Sequence, residues 1–199
     1  MTSTRSRGRR PGSPDTRTAI LESARALFSE NGFSGTSMRA IAGAAGVDPA
    51  LVHHYFGSKD DLFVASLALP VDPRALMAVV AADGSDGAGE RLVRMFLSAW
   101  DDPALQPGLV GFARALLDPA AEALVRDGFL KVVIGPLGEA LDLDEPQRRM
   151  PLVASQMIGV VLLRYVLRVE PLASMPGDEV VAIYGPTLQR YLTGELPRS

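Results

Sequence analysis

The sequence predicts an all-α chain with a small N-terminal head on a larger helical body. Three observations carry that prediction. Apolar residues recur three and four apart through almost every segment, the spacing of one helix face. No stretch alternates apolar and polar residues as a half-buried strand would. Glycines and prolines fall between the periodic segments, where helices stop and start. Apolar residues make up 47% of the 199, ample for a buried core, so disorder is excluded as the general state.

Taken in order, Met1 to Pro14 hold Arg, Ser, Gly and Pro with almost nothing apolar, and predict a basic arm that cannot bury a core. A first helix follows, with Asp15 as N-cap and Gly32 ending it at positive φ. Its buried face is Ile20, Ala24, Leu27 and Phe28. Thr36 or Ser37 caps a short second helix whose apolar face is Met38, Ile41, Ala42 and Ala45, and Gly46 stops it. Asp48 and Pro49 read as N-cap and first residue of a third helix, since proline needs no partner for its missing N–H there. Gly57 ends that helix. Ser58 with Asp61 resembles a capping box opening a fourth, which Pro70 closes. Further helices are expected at Pro73–Ala81, Gly89–Trp100, Gly108–Leu117, Pro119–Leu141, Pro146–Val169 and Pro176–Thr193. The expected organisation is an arm (1–14), a head (15–66) and a body (67–199), with no flexible linker between head and body.

Charge separates the two parts. Residues 1–66 carry eight basic and six acidic side chains, whereas the remainder carries 12 basic and 17 acidic. A positive head on a negative body predicts that only the head meets a polyanion. The chain has no cysteine, which excludes a disulfide framework, thiolate-ligated zinc and a cysteine nucleophile. No apolar run follows the basic N-terminus as in an export signal. The longest apolar runs, such as Ile158 to Leu163, fall short of a membrane span, so no membrane partner is expected and the cytoplasm is, in association with the nucleoid.

The second and third helices meet at Ala44, Ala45, Gly46 and Val47, a tight turn of small residues typical of a helix-turn-helix. On a wheel of about 100° per residue, the third helix separates two faces. Leu51, Val52, Tyr55 and Phe56 point inward; Ala50, His53, His54 and Gly57 point outward. Small and hydrogen-bonding residues on the outward face of a capped helix suit the major groove of duplex DNA. Arg39 on the second helix and Lys59 at the start of the fourth are placed for phosphates. The arm, with Arg5, Arg7, Arg9 and Arg10, either follows the backbone or minor groove or is a solvated tail. Tyr55 is read either as a contact or as a core residue with its hydroxyl at the rim. The paired histidines do not predict a metal site, because neighbours on a helix diverge and no acidic partner is spaced nearby.

At these residues the chain resembles the TetR family of transcriptional repressors. The likeness runs from about Thr16 to Ser66. It rests on the run from Ala19 to Ala24, Leu27 and Phe28, Asn31 to Phe33, Gly35 to Ser37, Ile41 and Ala42, Ala45 to Val47, and Tyr55 to Lys59. The resemblance implies DNA contacts for Thr36, Ser37, Arg39, Pro49, Ala50, His53, His54, Tyr55 and Lys59. Many members have a hydroxyl residue where Leu51 stands and a tyrosine where His53 stands, so base preference should differ here. It further implies a homodimer through helices at about 146–169 and 176–193, a palindromic operator, and release by a small-molecule effector bound in the body. Met77, Phe96, Trp100, Phe112, Leu116, Phe129, Met157 and Val161 are candidate pocket residues, against the plainer reading of ordinary core. Arg114 and Arg164 sit within apolar stretches and need partners, either an anionic ligand or a carboxylate.

Two rival classes remain. A helical binding module that no longer reads DNA would share the layout. An enzyme is disfavoured: no phosphate-binding glycine loop, metal pattern or nucleophile–base pair is present, both histidines lie on the third helix, and no catalytic residue or cofactor is expected.

Overall fold

The computed structural model describes residues 14–117 and 124–197. Most of the basic arm, and the start of the helix expected from Pro119, lie outside the described residues. Among the described residues there are ten helices and no strand. They are α1 (Pro14–Gly35), α2 (Met38–Ala45), α3 (Pro49–Phe56), α4 (Lys59–Ser66), α5 (Pro73–Ala81), α6 (Ala88–Trp100) and α7 (Gln106–Ala115). In α8 a π-helical stretch, Val125–Ile134, runs straight into Gly135–Ala140. In α9 the α-helix Pro146–Val160 continues as the π-helical Val161–Val166, and α10 is Gly177–Thr193.

Local chemistry accounts for most of these boundaries. Ser37 Oγ accepts the Ala40 N–H at 3.1 Å, Asp48 Oδ1 the Ala50 N–H at 2.8 Å, and Ser58 Oγ the Asp61 N–H at 3.0 Å. Gly46 (φ 66°) closes α2 in the left-handed region. One cap is corrected: Asp15 lies inside the first turn of α1, because Pro14 already begins the helix. Gly32 has the expected positive φ (70°), but helical turns resume beyond it to Gly35.

Two apolar clusters form a continuous interior. The head cluster joins Ile20, Phe28, Ile41, Val52 and Phe63, all with no exposed surface. Phe63 meets Phe28 and Phe33 edge-on, with ring centroids 5.2 and 5.3 Å apart. This cluster does not end at the head, since Leu124, Val132 and Val133 of α8 complete it. At the centre of that contact lies Gly128, where an added Cβ would stand 2.3 Å from the Phe63 ring.

The body cluster centres on α6 and α10, the most extensive helix pair of the fold. They cross at Gly89 and Gly185. A Cβ on Gly89 would fall 2.3 Å from the Gly185 carbonyl oxygen, so only glycine permits this approach. The Gly89 N–H is donated to Gln189 Oε1 at 2.9 Å, and Gln189 Nε2 donates to the Ser85 carbonyl at 3.0 Å. The end of α10 is tied down by the buried Arg149, which donates to the Asp144 carboxylate and to the Tyr191 and Gly194 carbonyls. By length and composition, Pro146–Val166 is apolar enough to cross a membrane, against the sequence expectation, but 44% of it is buried in the body. Its apolar character is that of a core helix with one open side. Ile158 and Leu163 of this helix, Leu167 and Val169 just beyond its end, and Ile183 of α10 are exposed.

Candidate nucleic-acid interface and apolar cavity

The turn between α2 and α3 sets the orientation of α3. With the cap on Asp48 and Pro49 in the first position, the helix starts at one defined residue. Val52 and Phe56 are buried, and Leu51 and Tyr55 half-buried. Ala50, His53, His54 and Gly57 are all exposed on the other side. The two faces divide as the wheel predicts.

His53 is oriented as well as exposed. Its Nδ1 lies 3.1 Å from the Gly57 carbonyl oxygen. A carbonyl only accepts, so Nδ1 is the donor of this bond, and Nε2 is the ring nitrogen left for an outside partner. Arg39, Ser37 and Pro49 are exposed around this face. Lys59 is half-buried, its ammonium 4.3 Å above the Phe33 ring, with Lys131 of α8 5.8 Å from the same centroid. Burial, and then the charge of Lys131, hold the Lys59 ammonium below the ordinary lysine range. Two cations over one ring leave this corner of the head–body junction electropositive.

Two of the expected contact residues are turned inward. Thr36 is 3% exposed, and its hydroxyl donates to the Gly32 carbonyl at 2.8 Å and to the Leu27 carbonyl at 3.0 Å. Its side chain closes the end of α1 rather than facing outward. The Tyr55 hydroxyl is buried without a hydrogen-bond partner, its ring near those of His54 and Phe56, so the residue packs inward but its hydroxyl is not at the rim as the core reading had it. Sequence reasoning passed over Arg17, whose guanidinium sits 5.2 Å over the Phe56 ring beside the end of α3. No local pattern links positions so far apart in the chain.

The body holds a partly open cavity of about 230 Å³ among α5, α6, α7, α8 and α9, with the exposed Leu117 and Ile158 on its wall. All eight candidate pocket residues lie on its wall, joined by Met150, Ile134 and Leu137, which had not been singled out. Trp100 anchors one side, its ring 5.4 Å from Phe96 and 5.1 Å from Tyr165.

Among the described residues, neither Arg114 nor Arg164 has a carboxylate partner. Arg164 donates to the carbonyls of Leu172 and Met175 at 2.7 and 2.8 Å, holding the loop before α10. Arg114 is exposed on α7. The Tyr165 hydroxyl donates to Asp101 at 2.8 Å, and burial foremost pushes its pKa well above the usual phenol range. Between head and body, Arg74 at the start of α5 bridges Asp61 of α4 and Asp72, each at 2.8 Å. Hydrogen bonds from Ser58 first, and from Arg74, hold the Asp61 carboxyl below the usual carboxylate range.

Comparison with known proteins fits this layout at both ends. The model of bacterial regulatory proteins of the tetR family matches residues 20–66, and that of the tetracyclin repressor-like C-terminal domain matches residues 86–192. The HTH-type transcriptional regulator UidR of Escherichia coli K12 is 44% identical over 61 residues, 31% of either chain. The transcriptional repressor AcnR of Corynebacterium glutamicum is 34% identical over 89 residues, 45% of this chain and 43% of AcnR. The chain thus spans less than half the length of these curated relatives. A TetR-family regulator from Streptomyces coelicolor A3, solved by crystallography, is 40% identical with a TM-score of 0.50, and the match covers 93% of this chain and 98% of that one.

Proposed function

We propose a mechanism for this chain, which belongs to the TetR family of bacterial transcriptional regulators: it acts as a homodimeric repressor in the cytoplasm, released from a palindromic operator by a small molecule in the body cavity. It is a helix-turn-helix DNA-binding regulator and not an enzyme. The observation that carries the proposal is the division of α3, with Val52 and Phe56 buried and Ala50, His53, His54 and Gly57 exposed. In a two-fold dimer, two such helices enter successive major grooves about 34–36 Å apart.

The exposed apolar residues of α9 and α10 support the dimer, since a monomer gains nothing by leaving Ile158, Leu163 and Ile183 in water. The cavity supports the effector, because a ligand seated in it gains by covering an apolar wall drawn from five helices. The fourth helix, which joins head to body, is one carrier of the response. α8 is better placed to share that role: Phe129, Val133 and Ile134 line the cavity, while Leu124, Gly128 and Val132 pack on the head. A ligand that favours the non-binding head geometry by about 2.7 kcal/mol weakens operator binding roughly 100-fold.

Fluorescence anisotropy with a labelled duplex from the chain's own upstream region, at several salt concentrations, tests this reading. Specific binding with a clear salt slope is expected. Titrations flat at low ionic strength would overturn it.

A further inference from the structure

We infer that the effector is an uncharged, apolar molecule of about ten non-hydrogen atoms, recognised by shape and without a hydrogen bond. This rests on the reading of the cavity as the effector site. Among the described residues, every wall residue is Leu, Val, Ile, Ala, Pro, Met, Phe or Trp, and no hydroxyl, amide or ionisable side chain lines the space. A charged or strongly polar ligand would leave its water shell and find no replacement.

The polar groups nearest the wall do not turn toward the space. The Tyr165 ring packs on Trp100, but its hydroxyl is engaged with Asp101. Arg164, next along the chain, donates from Nη1 to the Leu172 and Met175 carbonyls. The Tyr165 hydroxyl is thus committed to the fold and one terminal nitrogen of Arg164 to the loop before α10, while Arg164 Nε is buried without a partner on a residue that is not part of the cavity wall.

Size follows from volume. A dry apolar cavity of about 150 Å³ accommodates benzene. In proportion, about 230 Å³ accommodates a molecule of nine or ten heavy atoms. Shape selection should be tolerant. Four of the seven methionines, Met77, Met95, Met150 and Met157, stand on the wall, and their unbranched thioethers repack around different outlines.

Trp100 is the only tryptophan in the chain and lies on the cavity wall, so its fluorescence reports occupancy directly. The probes are three brominated benzenes of the same outline, each with about ten heavy atoms to match the cavity. 4-Bromocumene is neutral, 4-bromobenzoate anionic and 4-bromobenzamidine cationic. The full-length protein should show saturable quenching by 4-bromocumene, at least about tenfold tighter than by either ion, together with a rise in Tm that the ions do not produce. Ala154→Phe, which fills the cavity from α9, should remove the saturable phase; the Tm shift of the unmodified protein stands as the independent measurement. Equal or tighter binding of either ion, or no saturable quenching by the neutral probe, overturns the inference. Operator anisotropy in the same titrations separates the two readings. If 4-bromocumene binds but the operator stays bound, the ligand class stands and effector release falls. If 4-bromobenzoate releases the operator, effector release stands and the ligand class falls.

Discussion

Phe56 and His53 lie one turn apart on α3, and their truncation should separate stability from DNA binding. Phe56 is 8% exposed and belongs to the head cluster, with Arg17 over its ring. Phe56→Ala removes a packed ring that the surrounding helices cannot fully replace, at a cost of about 3–5 kcal/mol. For a chain of this length each kcal/mol moves Tm by about 2–4 °C, so a fall on the order of 10 °C is expected. His53 is exposed, and its one hydrogen bond, to the Gly57 carbonyl, lies in solvent. His53→Ala should therefore leave stability within about 0.5 kcal/mol. Its loss from the groove should weaken specific operator binding by about 1–3 kcal/mol, roughly 5- to 150-fold. Thermal unfolding followed by circular dichroism, at fixed protein concentration, measures the first effect, and operator anisotropy the second. A near-neutral Phe56→Ala, or a His53→Ala that unfolds the chain, would mean that α3 is rotated from the orientation described.

Gly89→Ala places a methyl group against the Gly185 carbonyl across the α6–α10 crossing, and urea unfolding should show a loss of about 3 kcal/mol or more; a neutral result would deny the close approach. Asp61 has a depressed pKa in the fold, so its contribution is present above the ordinary carboxylate range and lost as pH falls through the lower folded value. Because its side chain is 47% exposed, the effect is at most about 0.5 kcal/mol, and Asp61→Asn should flatten that part of the stability curve below about pH 4. Deleting Met1 to Gly12 removes Arg5, Arg7, Arg9 and Arg10; if all four meet phosphates, the salt slope of operator binding should fall by up to about 3.6 per protomer. An unchanged slope would leave the arm a spectator.

The helices and their faces were legible in the sequence because their causes are local. Asp48 caps α3 through an amide two residues away, Ser58 caps α4 through one three residues away, and Val52 and His53 part company because one step on a helix turns the side chain through about 100°. The same periodicity marked Met77, Trp100 and Phe129 as apolar positions on separate helices. What it left open was whether they enclose a space or simply pack. Tertiary structure alone decided that, and decided that α8 completes the head core through Gly128 against Phe63. It also turned Thr36 onto the carbonyls of α1, gave Arg164 a loop to hold instead of a carboxylate, and let Gly89 meet Gly185. Each of these joins groups through space, and several join groups far apart along the chain. A helical repeat states which side of a helix is apolar, and is silent on which other helix that side will meet.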